Sequence, residues 1–286
     1  MPAGATPLTT EGMTSEETES PHENGRTRVV RERYESRVGH LARIRELRMR
    51  SRAVRETLTS RAPAEALYWV DQLIRGAVWG RQADMDAILG LVLWLVEQPR
   101  GGESYEFLEQ LYRIAYEHEV DSVIYLLQNP PPHQQLSAEA SLPEVRLPIE
   151  REEITVGERR TIARKCNRDI IKRLTLDPSP LVIENLLDNP DTTESDLLKT
   201  ASRRPTQPEI LEKLAVHEKW FGRSKIRKAL VMNPYNDTGI SLKLLPTLGI
   251  TALRQVRFGS DLHQVLGESA EYLVDMRETY TSPWEV

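Results

Sequence analysis

Chemistry in a protein begins with titratable or nucleophilic side chains at workable spacings, and this 286-residue chain offers few. Its six histidines are His22, His40, His118, His133, His217 and His263, and none has a partner at the spacing that zinc sites use. Glu117-His118-Glu119 stands where a helix is expected to end, close to Asp121. An imidazolium there would interact well with the helix terminus and the carboxylates. A solvated helix end is the plainer reading. Cys166 is the one cysteine. It excludes a disulfide within the chain and a four-cysteine metal or iron–sulfur site, and it suits a reducing compartment. Lys165 and Arg168 lie beside it, so the thiol is either activated by positive neighbours or plain and inert. The phosphate loop G-x-x-x-x-G-K-[ST], the dinucleotide signature G-x-G-x-x-G and the metalloprotease H-E-x-x-H do not occur. No catalytic residue, metal or cofactor is assigned on these grounds.

What the sequence does offer is cations beside aromatics. Arg203-Arg204 closes one expected helix, Trp220-Phe221-Gly222-Arg223-Ser224-Lys225 joins two others, and Arg227 and Tyr235 follow. Arginine and aromatic side chains are the anchors that interfaces favour. Placed at equivalent junctions of a repeat, Arg203, Arg204, Trp220, Arg223, Lys225, Arg227 and Tyr235 would line up as one basic strip, a candidate binding surface. The competing reading is structural. The cations then cap helix C-termini and lay their stems over the core, while Trp220 fills an irregular joint.

The elements behind that strip show a period. Pro180–Pro190 and Ser224–Pro234 match at an offset of about 44 residues, with Val182 against Ile226, Leu186 against Leu230 and Asn189-Pro190 against Asn233-Pro234. The match runs on to Thr193 against Asp237 and Leu198 against Leu242. Each unit is expected to hold a short helix ended by Asn, which tolerates the left-handed conformation, then Pro, which cannot continue the helix. Capping boxes at Thr155-x-x-Glu158, Thr193-x-x-Asp196 and Thr206-x-x-Glu209 start further helices. The periodicity predicts helices over 156–165, 168–176, 180–188, 194–202, 207–216, 224–232, 238–246 and 250–257.

Asp177-Pro178-x-Pro180-Leu-Val, Asn189-Pro190-x-Thr192-Thr193 and Leu197-Leu198 together resemble the leucine-rich repeat variant, a bacterial helical solenoid unit, and more distantly HEAT and armadillo repeats. The resemblance covers about residues 170–250. Asn236 stands where the first unit has Thr192, a departure from the pattern. It implies an all-α fold with a short right-handed solenoid and a binding or scaffold role. Some members of that family place the array after a cysteine-ligated iron–sulfur segment; the cysteines are lacking here, so no cluster carries over.

The rest of the chain reads as flanking parts. Residues 1–25 have almost no apolar side chains and read as a disordered tail. One amphipathic helix is expected over about 28–59, with its many arginines on the wet side. Helices packed as a bundle are expected to fill 26–128, and the Pro-rich stretch 129–153 reads as a linker or strap. The repeat stack spans 154–258, and 259–286 is an acidic cap or tail. Bundle and strap are expected to close one end of the array and the acidic segment the other. The apolar run Ile88–Val96 is about nine residues long, against about twenty for a membrane span, so it reads as a core helix. No secretory signal is visible, which points to the cytoplasm.

The net charge of −5 hides alternating basic and acidic blocks, compatible with intramolecular docking or with a partner of either sign. The expectation is a non-enzymatic adaptor or scaffold that meets another protein in a bacterial cytoplasmic assembly. The alternative is a nucleic-acid-binding protein that uses the Arg-rich helix at 28–56 and the basic strip. The sequence sets no oligomeric state.

Overall fold

A computed structural model describes residues 21–98, 102, 104–134 and 154–279, with side chains from residue 31 onward. Its regular structure is helical throughout the described residues. The chain divides into two compact units, 1–37 and 38–286. Helix α1 (Pro21–Ala42) begins in the first and ends in the second. Residues 21–25, expected in the tail, are therefore helical, with Pro21 at the first position, where a missing N–H costs nothing. Residues 1–20 lie outside the described set. Within the first unit Arg31 and Glu35 pair at 3.2 Å, one turn apart.

The single helix expected over 28–59 is in fact two, because the chain breaks before α2 (Leu47–Thr59). Next come α3 (Pro63–Val78), α4 (Gln82–Glu97), α5 (Tyr105–Glu117) and α6 (Asp121–Leu127). Arg50 explains the break. Its Nε and Nη2 donate to the Ile44 carbonyl at 2.9 and 2.6 Å, and its Nη1 donates to the Asp86 carbonyl of α4 at 2.9 Å. One guanidinium thus serves a carbonyl that the helix break leaves over and ties α2 to α4. Arg50 is buried, contrary to the wet face expected for it. Gly90 lets the two helices close, since a Cβ there would meet Arg50 Cγ at 3.1 Å. The apolar run of α4 lies in the core, and Ile88, Leu91, Val92 and Leu93 are at most 1 % exposed. Among the described residues no helix is long and apolar enough to cross a membrane.

The second half holds α7 (Val156–Arg164), α8 (Arg168–Leu174), α9 (Pro180–Leu187), α10 (Glu194–Ser202) and α11 (Pro208–Val216). The one-turn α12 (Glu218–Phe221), α13 (Ser224–Val231), α14 (Thr238–Leu244), a 3-10 turn (Leu245–Thr247), α15 (Ile250–Arg257) and α16 (Gln264–Thr279) follow. α7 and α8 pack on α9, and α10 and α11 pack on α13.

The two Asn-Pro junctions are wired alike. Asn189 Nδ2 donates to the Ala163 carbonyl at 2.8 Å, and its Oδ1 accepts the Asp191 N–H at 2.9 Å. Asn233 Nδ2 donates to the Ala201 carbonyl at 2.8 Å, and its Oδ1 accepts the Tyr235 N–H at 3.1 Å. Each side chain holds its own turn and satisfies a carbonyl near the end of the helix that its unit packs on. This corrects the expected role of Asn. Neither residue is left-handed; Glu119 is the one described non-glycine residue with a positive φ, at 55°. Asparagine stands there for its carboxamide rather than its backbone tolerance.

Two of the three expected capping boxes form. Thr155 N–H donates to Glu158 Oε2 at 2.9 Å, and Thr193 N–H and Oγ1 donate to Asp196 Oδ2 at 3.0 and 2.6 Å. Asp237 caps α14 by accepting the Ile240 N–H at 2.9 Å. The box at Thr206 does not form. Pro208 takes the first helical position, which moves the cap to Gln207 and leaves Thr206 buried.

Among the described residues the first helices pack mainly away from the α7 end of the second half. α3, α4 and α6 instead pack on the other end, against α14, the 3-10 turn and α16, and α4 also meets α11. Polar bonds fix the join. Lys243 Nζ donates to Asn129 Oδ1 at 2.7 Å, and Thr238 Oγ1 donates to the Pro131 carbonyl at 3.2 Å. The start of the expected strap is therefore pinned to α14, while 135–153 lies outside the described residues. The acidic segment is no terminal cap alone. α16 packs on α15 and reaches back to α3 and α6, where Arg277 Nη1 donates to the Val78 carbonyl at 2.6 Å.

Candidate functional site

The structure separates the seven candidates of the basic strip. Trp220 is 3 % exposed, and its indole N–H donates at 2.9 Å to the carbonyl of Leu187, the last residue of α9. That carbonyl has no partner in its own helix, so the indole fills the joint and caps α9 together. Lys219 Nζ lies 4.4 Å from the ring centroid on the exposed side. Arg227 is 4 % exposed; its Nη1 donates to the Phe221 carbonyl at 2.7 Å and its Nε to Thr247 Oγ1 at 3.0 Å. Burial pulls its pKa down to about 10. Trp220 and Arg227 thus turn inward, a correction to their place in a binding surface: each satisfies a group that the helix joints leave over.

Arg203 is half-buried and donates to the Leu176 carbonyl; burial lowers its pKa against the opposite pull of Asp177. Arg204 pairs with Asp261 and donates to the Met232 carbonyl, just past α13. Arg223 and Lys225 sit at the opposite, N-terminal end of α13, both exposed and without an ion pair among the described residues. The eight residues of α13 span about 12 Å, so these cations form no continuous strip. Tyr235 is half-buried in the turn that Asn233 holds.

The titratable groups singled out by type find plain surroundings. Burial, with Asp191 nearby, pushes the Cys166 thiol up despite the Asn189 hydrogen bond, so the basic neighbours do not activate it. His118 is exposed just past the end of α5. Two histidines distant in sequence do meet: the rings of His133 and His263 lie 5.8 Å apart, edge to face. Even so, no group of three or more His, Cys, Asp or Glu able to hold a metal occurs among the described residues.

A concave feature lies elsewhere. A cleft of about 590 Å³ opens between α4, α5 and the end of α6 on one side and α11 and α14 on the other. Leu95, Leu108, Leu127, Val216 and Ile240 give it apolar walls, and Tyr105, 53 % exposed, stands among its lining residues. Its volume falls within the range of ligand and anchor pockets, about 300–1,000 Å³. The wall supplied by α5 is a stripe, Tyr105, Leu108, Glu109 and Tyr112, at helical positions i, i+3, i+4 and i+7. α5 explains why the gap stays open. It is strongly amphipathic, yet it buries only Leu111 and Ala115 fully, and Phe107, Leu108, Tyr112 and Ile114 stay half-buried.

Charge is distributed unevenly around the cleft. Lys243 is committed to Asn129 and to the Gly239 carbonyl at 2.7 and 3.1 Å, and Lys213 pairs with Glu184 at 2.7 Å. Glu109 on α5 and Asp237 at the start of α14 have no cationic partner among the described residues. Beside the cleft, burial raises the pKa of Glu97, opposed by Arg48 and reinforced by Glu218. Arg48 reaches Glu97 at 3.5 Å and Glu218 at 3.7 Å, which ties α2 to α4 and α12.

Sequence reasoning missed this cleft. Its walls come from residues 95–129 and 212–243, and no local pattern announces that the two meet. The one available signal was the isolated Asn129-Pro130, which shares the dipeptide of the two repeat junctions. No protein-family model, curated protein or solved structure matches the chain.

Proposed function

We propose that this chain is a non-enzymatic adaptor, a helical-repeat scaffold of the HEAT or leucine-rich-repeat-variant kind, that docks another protein in a bacterial cytoplasmic assembly. The shared wiring of Asn189 and Asn233 supports the repeat reading, since one device recurs where the sequence recurs. The observation that carries the function is the cleft between α4–α6 and α11–α14. It combines half-buried apolar side chains, an exposed tyrosine and two carboxylates, Glu109 and Asp237, that have no cationic partner among the described residues. Such a mixture suits recognition through a few anchoring side chains.

The test compares the full chain with two variants, Ile240→Arg in the cleft and Arg223→Ala/Lys225→Ala outside it. Each is immobilised and exposed to extract from its native cell. The expected result is a protein retained by the parent and by the double variant and lost by Ile240→Arg. Retention that Ile240→Arg leaves unchanged would overturn the reading. Binding of duplex DNA at about 50 mM salt that collapses by about 200 mM would replace it with the nucleic-acid reading.

A further inference from the structure

From the cleft's geometry and charge we infer the class of segment it takes: an amphipathic helix of about two turns, apolar on one face and flanked by Lys or Arg. This rests on the docking function proposed above and names its ligand.

The occupant is helical because of what the walls lack. The walls are helices and helix ends, with no strand among the described residues. No strand edge is offered to an extended peptide, which would enter with its own backbone groups unpaired. A helix satisfies its backbone internally and presents only side chains. The α5 stripe from Tyr105 to Tyr112 rises about 10 Å, the length of two helical turns. Anchors at i, i+3, i+4 and i+7 on the guest match that length.

The occupant is basic because of which charges remain open. Both lysines of the lining are engaged within the fold, Lys213 by Glu184 and Lys243 by Asn129 and Gly239. Glu109 and Asp237 stand on opposite walls, one on α5 and one at α14, and neither has a cationic partner among the described residues. An apolar guest with cations on its flanks meets both carboxylates, whereas an acidic guest meets like charge on both sides. The same two carboxylates repel a nucleic-acid backbone.

The experiment uses the full chain and three dye-labelled 14-residue peptides. One carries Leu at i, i+3, i+4 and i+7 with Lys elsewhere, one replaces every Lys by Glu, and one has the Leu/Lys composition with leucines scattered. Fluorescence anisotropy reads affinity, and circular dichroism reads peptide helicity. The Leu/Lys helix is expected to bind and gain helicity, the scrambled peptide to bind at least tenfold more weakly, and the Glu peptide not at all. Glu109→Gln with Asp237→Asn is expected to weaken the Leu/Lys helix about three- to tenfold, an effect lost at about 1 M salt. Asn caps a helix as well as Asp does, so Asp237→Asn keeps α14; if the pair misfolds, Glu109→Gln alone carries the test.

Equal binding of the Glu peptide, or an unchanged affinity in the Gln/Asn variant, overturns the charge assignment and leaves the cleft as a docking site. Equal binding of the scrambled peptide overturns the helical register. Binding of the Leu/Lys helix that survives Ile240→Arg overturns the cleft itself, and with it the proposed function. Absence of any Leu/Lys binding overturns the inference.

Discussion

At the Trp220 joint the indole N–H and the Arg227 guanidinium donate inward, to carbonyls and a hydroxyl within the fold. At the cleft, apolar side chains stay half-buried and two carboxylates, Glu109 and Asp237, have no cation among the described residues. The two regions draw on similar residue types, aromatics and charges beside aliphatic side chains. What separates them is satisfaction. A joint whose indole and guanidinium donate inward contributes to stability and is silent toward partners. A cleft that leaves apolar side chains half-buried and carboxylates without a cation is available for recognition.

That contrast can be broken by experiment. Trp220→Ala removes a buried ring and a hydrogen bond, and is expected to cost about 3–5 kcal/mol by urea denaturation. Tyr105→Ala in the cleft should change stability by under about 0.5 kcal/mol. Equal costs would erase the distinction. Arg227→Ala leaves the Phe221 carbonyl and the Thr247 hydroxyl without their donor and is expected to cost about 2–3 kcal/mol on the same assay. Asn189→Ala and Asn233→Ala should each cost about 1–3 kcal/mol, and their costs should be alike, because each strands the same two kinds of backbone group. A large cost for one and none for the other would show that the two junctions share sequence without sharing a role.

Asp196→Ala should cost about 1 kcal/mol at neutral pH through the lost cap. The deficit should shrink in acid. Burial raises the Asp196 pKa, but bonds from Arg168 and from Thr193 together outweigh it and hold it below the usual carboxylate range. A carboxylate depressed in the folded state stabilises above its unfolded pKa of about 3.9 and loses that contribution as pH falls through the folded value. Parent and variant should therefore begin to converge as the pH falls below about 4 in a pH series of melting temperatures, and meet only below the folded value. The smallest effect belongs to Arg223→Ala with Lys225→Ala, expected within about 0.5 kcal/mol.

Much of the helix pattern was legible because it is local. Caps at Thr155 and Thr193 and apolar spacing of three and four place helices within a residue or two of those observed. Long-range geometry was not legible. Arg50 looked like one of many surface arginines, yet it reaches 36 residues along the chain to Asp86 and so divides a helix that its periodicity joins. The inward turn of Trp220 and Arg227 was hidden for a related reason. Equivalent sequence positions in a repeat share a junction but need not share an exposure: Arg223 stands exposed just before α13, whereas Arg227, one turn on, is buried. The candidate site depends on α4–α6 folding back onto α14, which only Asn129 hinted at.

The hydrogen bond from Arg277 to the Val78 carbonyl spans 199 residues. During synthesis at about 5–20 residues per second, roughly 10–40 seconds separate the emergence of those two partners. For that interval the surface of α3 and α6 that α16 covers stands open to water, with its apolar side chains exposed to anything that binds nascent chains. That face closes only when α16 arrives, through a contact of long sequence separation, a kind that forms more slowly than local helices do.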